Sequence, residues 1–441
     1  MKNVWTILVY FSVMIMPGLG QRSVLDSYKR LADADRNSIR KEKIERFVLP
    51  AMRANNIDMW ITLTREYVQD PIARDLGVGA PVARAALILT DDGNRLGRTA
   101  VMASYDIDAP LKSGLYDTVI AYRSEGLLPH LKKLIADRNP RSIGVNTSKD
   151  TPLADGLTVS MLNYLREAVG NDYGDRIGSA EPVVVAWRGK KLPREVDILR
   201  TAIKATEEII AKALSRETIT PGETTELDVA RFVKDMMTKM GVTESWEPSG
   251  CPSINTGLSR GHSEPTDAII EPGHVVTIDF GINLDGYCTD IQRTAYILKA
   301  GEKEPPDDIR RMWKTNIRSV EDGFAQMQPG HTGNDVDKAC RKIITDAGFQ
   351  EYPHAAGHPI GYITHEVGPM LGPDWPERYG KKVFLKLEPN QVFALEPAVS
   401  SPSKGLGGDI RVGIEEDVLI TEQGPAWLST PQKELILIAS E

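Results

Sequence analysis

Cysteine is scarce in this chain: Cys251, Cys288 and Cys340 are the only three in 441 residues. An odd, small number is no disulfide framework, so stability must come from a hydrophobic core. One bridge is chemically open in an oxidising compartment, but the spacing does not pair the three. Cys288 lies two residues from Asp290 on the same strand face and reads as a small buried hydrophobe. Basic residues are not in excess. Lys and Arg number 53 against 61 Asp and Glu, and the net charge of −8 argues against a nucleic-acid partner. Beyond residue 16 there is no apolar run long enough to span a bilayer. The rest is ordinary globular composition, 41% hydrophobic and 26% charged, and the length suggests two or three domains.

The first twenty residues differ from the body. Met1-Lys2-Asn3 is a short basic start, and Val4 to Met16 is apolar except for Thr6, Tyr10 and Ser12. Pro17-Gly18-Leu19-Gly20 follows, with small residues at 18 and 20, then polar Gln21. This is the layout of a secretory signal peptide cleaved after Gly20, so the body is expected to be exported, periplasmic or secreted, with no stable membrane span after cleavage. Residues 21–36 are polar and read as a poorly ordered lead-in.

From residue 37 the pattern becomes regular. Ile44, Phe47, Val48 and Met52 form a helical stripe, and Met59–Leu63 reads as a strand. Ala85–Leu89, the turn Asp91-Asp92-Gly93 and Thr99–Met102 read as a hairpin. A helix over Leu127–Ile135 and a strand over Ser142–Val145 complete an α/β domain assigned to 37–186. Residues 187–441 form the second domain. It opens with a helix entered through Pro193 and contains a faint repeat. Pro221-Gly222-Glu223-Thr224 and Pro329-Gly330-His331-Thr332 each follow an amphipathic helix, precede another helix, and lead to strands rich in acidic residues and histidine.

Chemistry concentrates in those strands. Val275–Ile282 and Tyr287–Tyr296 are strand-like, with turn residues Asn283–Gly286 between them. Folding the hairpin so that Asn283 faces Gly286 sets Asp279 directly opposite Asp290, with Cβ atoms about 5 Å apart. Two carboxylates so placed repel, and the apolar strand around Asp279 argues against a solvated edge, so a cation is expected between them. His354, His358 and His365 form a second cluster. Gly357, Pro359 and Gly361 forbid a regular helix there, so the cluster lies on strand or loop. Glu396 ends the apolar run Val392–Leu395 and, if buried, requires a metal or Arg partner. Glu415 is followed by Glu416 and Asp417, and strand alternation alone does not choose among the three. Four carboxylates balance two divalent cations, and an oxygen-rich set with one imidazole suits Mn²⁺, while Co²⁺ and Zn²⁺ also fit.

The segments 277–281, 287–294, 357–361 with His365-Glu366, Leu395-Glu396-Pro397 and 414–417 resemble the catalytic half of the pita-bread metallopeptidases. That family contains prolidase, aminopeptidase P, methionine aminopeptidase and creatinase. The resemblance spans roughly residues 187–425 and selects Glu415 over its two acidic neighbours. It implies an α/β (α+β) architecture, with an N-terminal creatinase-like domain followed by a pseudo-twofold pita-bread domain. It also implies that Asp290 and Glu415 bridge two metals, that Asp279 completes one shell, and that His358 with Glu396 completes the other. Glu396 would handle the proton and His365 the oxyanion. His262, in the segment Gly261–Asp267, and His354 would stand on the substrate side.

The N-terminal domain resembles the branch that cleaves beside proline, so small Xaa-Pro peptides are the implied substrates and a homo-oligomer, dimer or tetramer, the implied assembly. That branch often carries Arg two residues before the last Glu. Here Gly413 holds that position and Arg411 is the nearest arginine. A metal-free creatinase-like hydrolase and a non-catalytic binding protein are the competing readings. Such relatives lack the full ligand set, whereas this chain has all five residues.

Overall fold

The computed structural model describes residues 23–403 and 406–440; the predicted signal peptide lies outside them. The N-terminal domain is built on a six-stranded mixed sheet in the order Thr118–Tyr122, Leu96–Ala103, Ala85–Asp91, Met59–Thr64, Ile143–Val145, Ile177–Ser179. Every residue of Met59–Thr64 is buried, because both faces of the sheet are covered. Trp60 and Leu87 pack with Ile44, Val48 and Met52 of helix Asp33–Ala54 and with Trp187 of helix Glu181–Gly189. Met59, Ile61 and Leu63 point the other way, onto Leu131, Ile135 and Leu165.

The segment before this domain is not a loose lead-in. Ser23 Oγ donates to Glu208, and Tyr28 OH and Arg36 both reach Asp285, so the segment is strapped to the second domain. The helix also starts at Asp33, inside the predicted lead-in. Polar composition alone does not reveal that its polar groups have distant partners.

In the second domain the predicted repeat appears as two helix pairs, Pro193–Ala213 with Glu226–Met240 and Asp307–Gln326 with Gly333–Asp346. Thr225 and Thr332 cap the second helix of each pair, and each forms a capping box, with Asp228 and Asp335. Two four-stranded sheets lie against them. One runs Ile436–Ile438, Ile291–Ile297, Val275–Phe280, Ser253–Thr256, and the other Gly357–Pro359, Val392–Leu395, Glu416–Thr421, Gly424–Trp427. An isolated bridge between Gln292 and Glu415 joins the two.

The hairpin register differs from expectation. Leu284 pairs with Tyr287, leaving a two-residue turn of Asp285 and Gly286 with φ of 55° and 93°. Both central residues take positive φ, as the tight hairpin turn that matches strand twist demands. Asp279 therefore pairs with Gln292, and Asp290 is its diagonal neighbour on the same face instead of its direct opposite. The hairpin also breaks at Gly281, where an added Cβ would lie 1.9 Å from the carbonyl oxygen of Thr289. Gly281→Ala should therefore lower unfolding stability by about 1–3 kcal/mol. Denaturant unfolding checks this, and an unchanged midpoint would show that the close approach is dispensable.

Candidate metal centre

The two sheets deliver acidic side chains to a cavity of about 640 Å³ at their junction. Asp279 is the next-to-last residue of strand Val275–Phe280, and Asp290 immediately precedes strand Ile291–Ile297. His358 is the middle residue of Gly357–Pro359, Glu396 follows Val392–Leu395, and Glu415 precedes Glu416–Thr421. Ligand atoms of Asp290, His358 and Glu415 lie within 4.8 Å of one another. His358 Nε2 is 3.4 Å from Asp290, 3.8 Å from Glu396 and 3.9 Å from Glu415. Its Nδ1 lies 3.2 Å from the carbonyl of Pro359; with the proton on that nitrogen, the Nε2 lone pair faces the carboxylates.

The cluster is short of hydrogen-bond donors. Among the described residues no Lys or Arg pairs with Asp279, Asp290, Glu396 or Glu415; their only ion-pair contacts are histidines. Oδ1 of Asp279 and Oδ1 of Asp290 are buried without any hydrogen-bond partner. Without a cation, burial and then the charge of Asp279 push the Asp290 carboxyl far above its usual range. Burial and then Asp290 do the same to Glu415. Burial raises Glu396 to about 7. Oxygen-rich, donor-poor and self-repelling, the set fits divalent cations.

Of the alternatives to Glu415, Glu416 faces away. It accepts from Arg293 at 3.0 Å, from Ser429 at 2.5 Å and from the Gln432 N–H at 2.8 Å. Asp417 is fully buried, both its oxygens lack partners, and it does not line the cavity. Glu415 does line it.

The predicted histidines ring the same cavity. His262 is exposed; its Nδ1 is 3.5 Å from Asp279, which raises its pKa, and its ring stands 5.7 Å from that of Trp246. His365 packs edge-on against His358, with centroids 4.3 Å apart. The neighbouring His358 and burial draw its pKa down to about 4. His354 is drawn down to about 3 by burial and then by Arg411, whose Nη2 lies 3.3 Å from its Nε2.

Gly413 is accounted for by Gln292, which sequence reading passed over. A Cβ at 413 would lie 1.8 Å from the Gln292 amide oxygen. That oxygen instead accepts from Arg411 at 3.1 Å, while the amide nitrogen donates to Asp279 at 3.3 Å. Arg411, two residues back on the same strand, therefore enters the cavity wall. Segment 370–386, which joins two of the ligand-bearing strands, contributes Arg378 to the wall, held against the rings of Trp375 and Tyr379. Position two after Asp290 on the same strand face was the available signal for Gln292. Arg378 left none.

The model of metallopeptidase family M24 matches residues 197–422, more than half of the chain and the whole of the cluster just described. The chain belongs to metallopeptidase family M24. An uncharacterized peptidase of Bacillus subtilis is 31% identical over 274 residues, 60% of this chain and 70% of its own length. The Xaa-Pro dipeptidase of Pyrococcus furiosus is 29% identical over 265 residues, 58% of this chain and 67% of its own. Two solved structures extend the likeness in fold to both domains of this M24 chain. Dipeptidase PepE from Mycobacterium ulcerans matches with a TM-score of 0.69 and 21% identity, covering 93% of this chain and 100% of its own. The X-Pro aminopeptidase from Thermotoga maritima matches with a TM-score of 0.65 and 22% identity, covering 88% and 99%.

The raised carboxyls have a stability consequence. Above about pH 6.5 the histidines of the unfolded chain lose their protons, and its carboxylates have already lost theirs. In the metal-free folded cluster Glu396, raised to about 7, still holds a proton there, and burial shifts Asp290 and Glu415 in the same direction. The folded state binds more protons there, so its stability falls as pH rises from 6.5 through 7 and beyond. Thermal unfolding in chelator should show this slope and saturating Mn²⁺ should remove it; a slope unchanged by metal would contradict the assignment.

Proposed function

We propose that this protein is a dinuclear-metal exopeptidase that hydrolyses peptide bonds next to proline, with Mn²⁺ as its most suitable metal and Co²⁺ or Zn²⁺ as substitutes. The observation that carries this reading is the buried, donor-poor cluster Asp279, Asp290, His358, Glu396 and Glu415 in an M24 chain. In this reading Asp279, Asp290, His358, Glu396 and Glu415 would hold the two ions between them. When bound, the ions supply a water of lowered pKa and polarise the scissile carbonyl.

The protein's own groups do the rest. Glu396 takes the proton of the attacking water and passes it toward the leaving nitrogen. His365 is neutral at neutral pH, and its ring N–H stabilises the oxyanion as it forms. His262 and His354 flank the substrate, and Arg411 offers a guanidinium to a peptide carboxylate. The Xaa-Pro preference is supported by relatives: the P. furiosus relative is an Xaa-Pro dipeptidase and the T. maritima neighbour an X-Pro aminopeptidase. Export rests on residues 1–20 alone. Assembly into a dimer or tetramer is part of the same proposal, and light scattering that gives a monomer mass would remove it.

The test is hydrolysis of Xaa-Pro dipeptides and Xaa-Pro-Yaa tripeptides by metal-stripped protein, with and without Mn²⁺. Mn²⁺-dependent cleavage is expected, and dipeptides or tripeptides will identify the activity as dipeptidase or aminopeptidase. His365→Ala should lower kcat by about 10²–10³-fold while leaving Mn²⁺ binding intact. No cleavage with any divalent metal would favour a binding protein.

A further inference from the structure

Among the described residues, those lining the cavity fall between Trp246 and Glu415, and the N-terminal domain adds none of them. It nevertheless reaches the loop that carries His365. Glu366, the next residue, is fully buried and accepts the backbone N–H groups of Tyr362 at 3.2 Å and Val367 at 2.9 Å, closing the loop on itself. The same carboxylate receives a two-point grip from Arg188, Nε at 2.9 Å and Nη2 at 2.8 Å. Arg188 is the next-to-last residue of helix Glu181–Gly189, and its remaining Nη1 binds Asp75. Asp75 follows Ile72 and Ala73 and precedes Leu76, all three in the core of the N-terminal domain. From helix Asp33–Ala54, Lys43 lies 4.4 Å over the Tyr362 ring and 3.3 Å from its hydroxyl.

We propose that Arg188 is a positioning residue for His365 and that Asp75 sets its aim, so that the N-terminal domain governs turnover through the His365 loop without entering the cavity. The proposal rests on the reading of His365 as oxyanion stabiliser. A fork of two parallel hydrogen bonds fixes direction as well as distance, which a single contact does not. A buried ion pair adds little net stability compared with well-packed apolar residues, so its clearest product is geometry. Around the fork Lys43 pairs with Glu195, and buried Lys191 donates to the carbonyls of Arg188 and Gly189. Loss of one anion leaves Arg188 free to shift, and the loop follows. Misplacement of a catalytic group by about 1 Å costs up to about a hundredfold in rate.

The variant that tests this is Asp75→Asn, the same shape without the charge, on the partly exposed end of the chain of contacts. Arg188→Lys accompanies it, keeping the charge and losing the fork. Both are measured in the full protein for kcat, KM, melting temperature and hydrogen exchange at the amides of 361–367. Asp75→Asn should lower kcat about tenfold with KM within about twofold of the parent, and speed exchange at Tyr362 and Val367. Arg188→Lys should do more of both. A lowered melting temperature with unchanged kcat and unchanged exchange in Asp75→Asn would reduce the pair to a stability element and overturn the proposal. If the parent hydrolyses no Xaa-Pro peptide, the functional reading fails separately. The exchange rates still decide whether Asp75 holds the loop, and unchanged exchange overturns the claim in that case too.

Discussion

Mutual repulsion among buried carboxylates is the constraint around which the second domain is arranged. Asp290 and Glu415 are almost wholly buried, and the described residues provide them with no lysine or arginine. Like charges in a low-dielectric site must be neutralised, by protons or by cations. Family membership points to cations, and the geometry agrees, since the basic groups that reach the carboxylates among the described residues are imidazoles, of which His358 is placed to ligate. The ligand strands come from both halves of the repeat, and the seam between them is the Gln292–Glu415 bridge. Stability of that seam and charge on the cluster are therefore linked.

The halves also share a way of holding their histidine-bearing loops. In the first, buried Glu226 accepts the N–H groups of Thr256 and Thr266, and the guanidinium of Arg260, closing the loop that presents His262. In the second, buried Asp337 accepts Arg341 at 2.6 Å and the N–H of Ala356 at 3.1 Å, bracing the turn that presents His354. Each carboxylate sits early on the second helix of its pair, near the capping threonine. A duplicated scaffold thus places acidic anchors under both walls of the cavity, and the Arg188–Glu366 fork does the equivalent for His365. Catalytic groups on loops need such fixtures, because loops alone hold direction poorly.

Much of this was legible in the residues. Helical and alternating patterns marked the middle of helix Asp33–Ala54, most of strand Met59–Thr64 and the two arms of the hairpin 85–103, and local motifs singled out five acidic and imidazole side chains that the structure brings to one cavity. The failures have physical causes. The Asp279–Asp290 register slipped because the two-residue turn falls on Asp285 and Gly286, both at positive φ, one residue later than facing Asn283 with Gly286 would place it. Gly413 looked like a missing arginine until Gln292 was seen to fill its place. Asp75 and Arg188 act through contacts distant in sequence, and no local pattern encodes such pairings. The three cysteines are buried and unpaired, and Cys288 is the small buried hydrophobe that its strand position suggested.

A count of tightly bound metal tests the central claim most directly. Metal-stripped protein dialysed against Mn²⁺, then analysed for metal and protein together, should hold two ions per chain, and Asp290→Asn should retain at most one. A parent protein that keeps none would contradict the assignment of the carboxylate cluster and leave its buried repulsion without a partner.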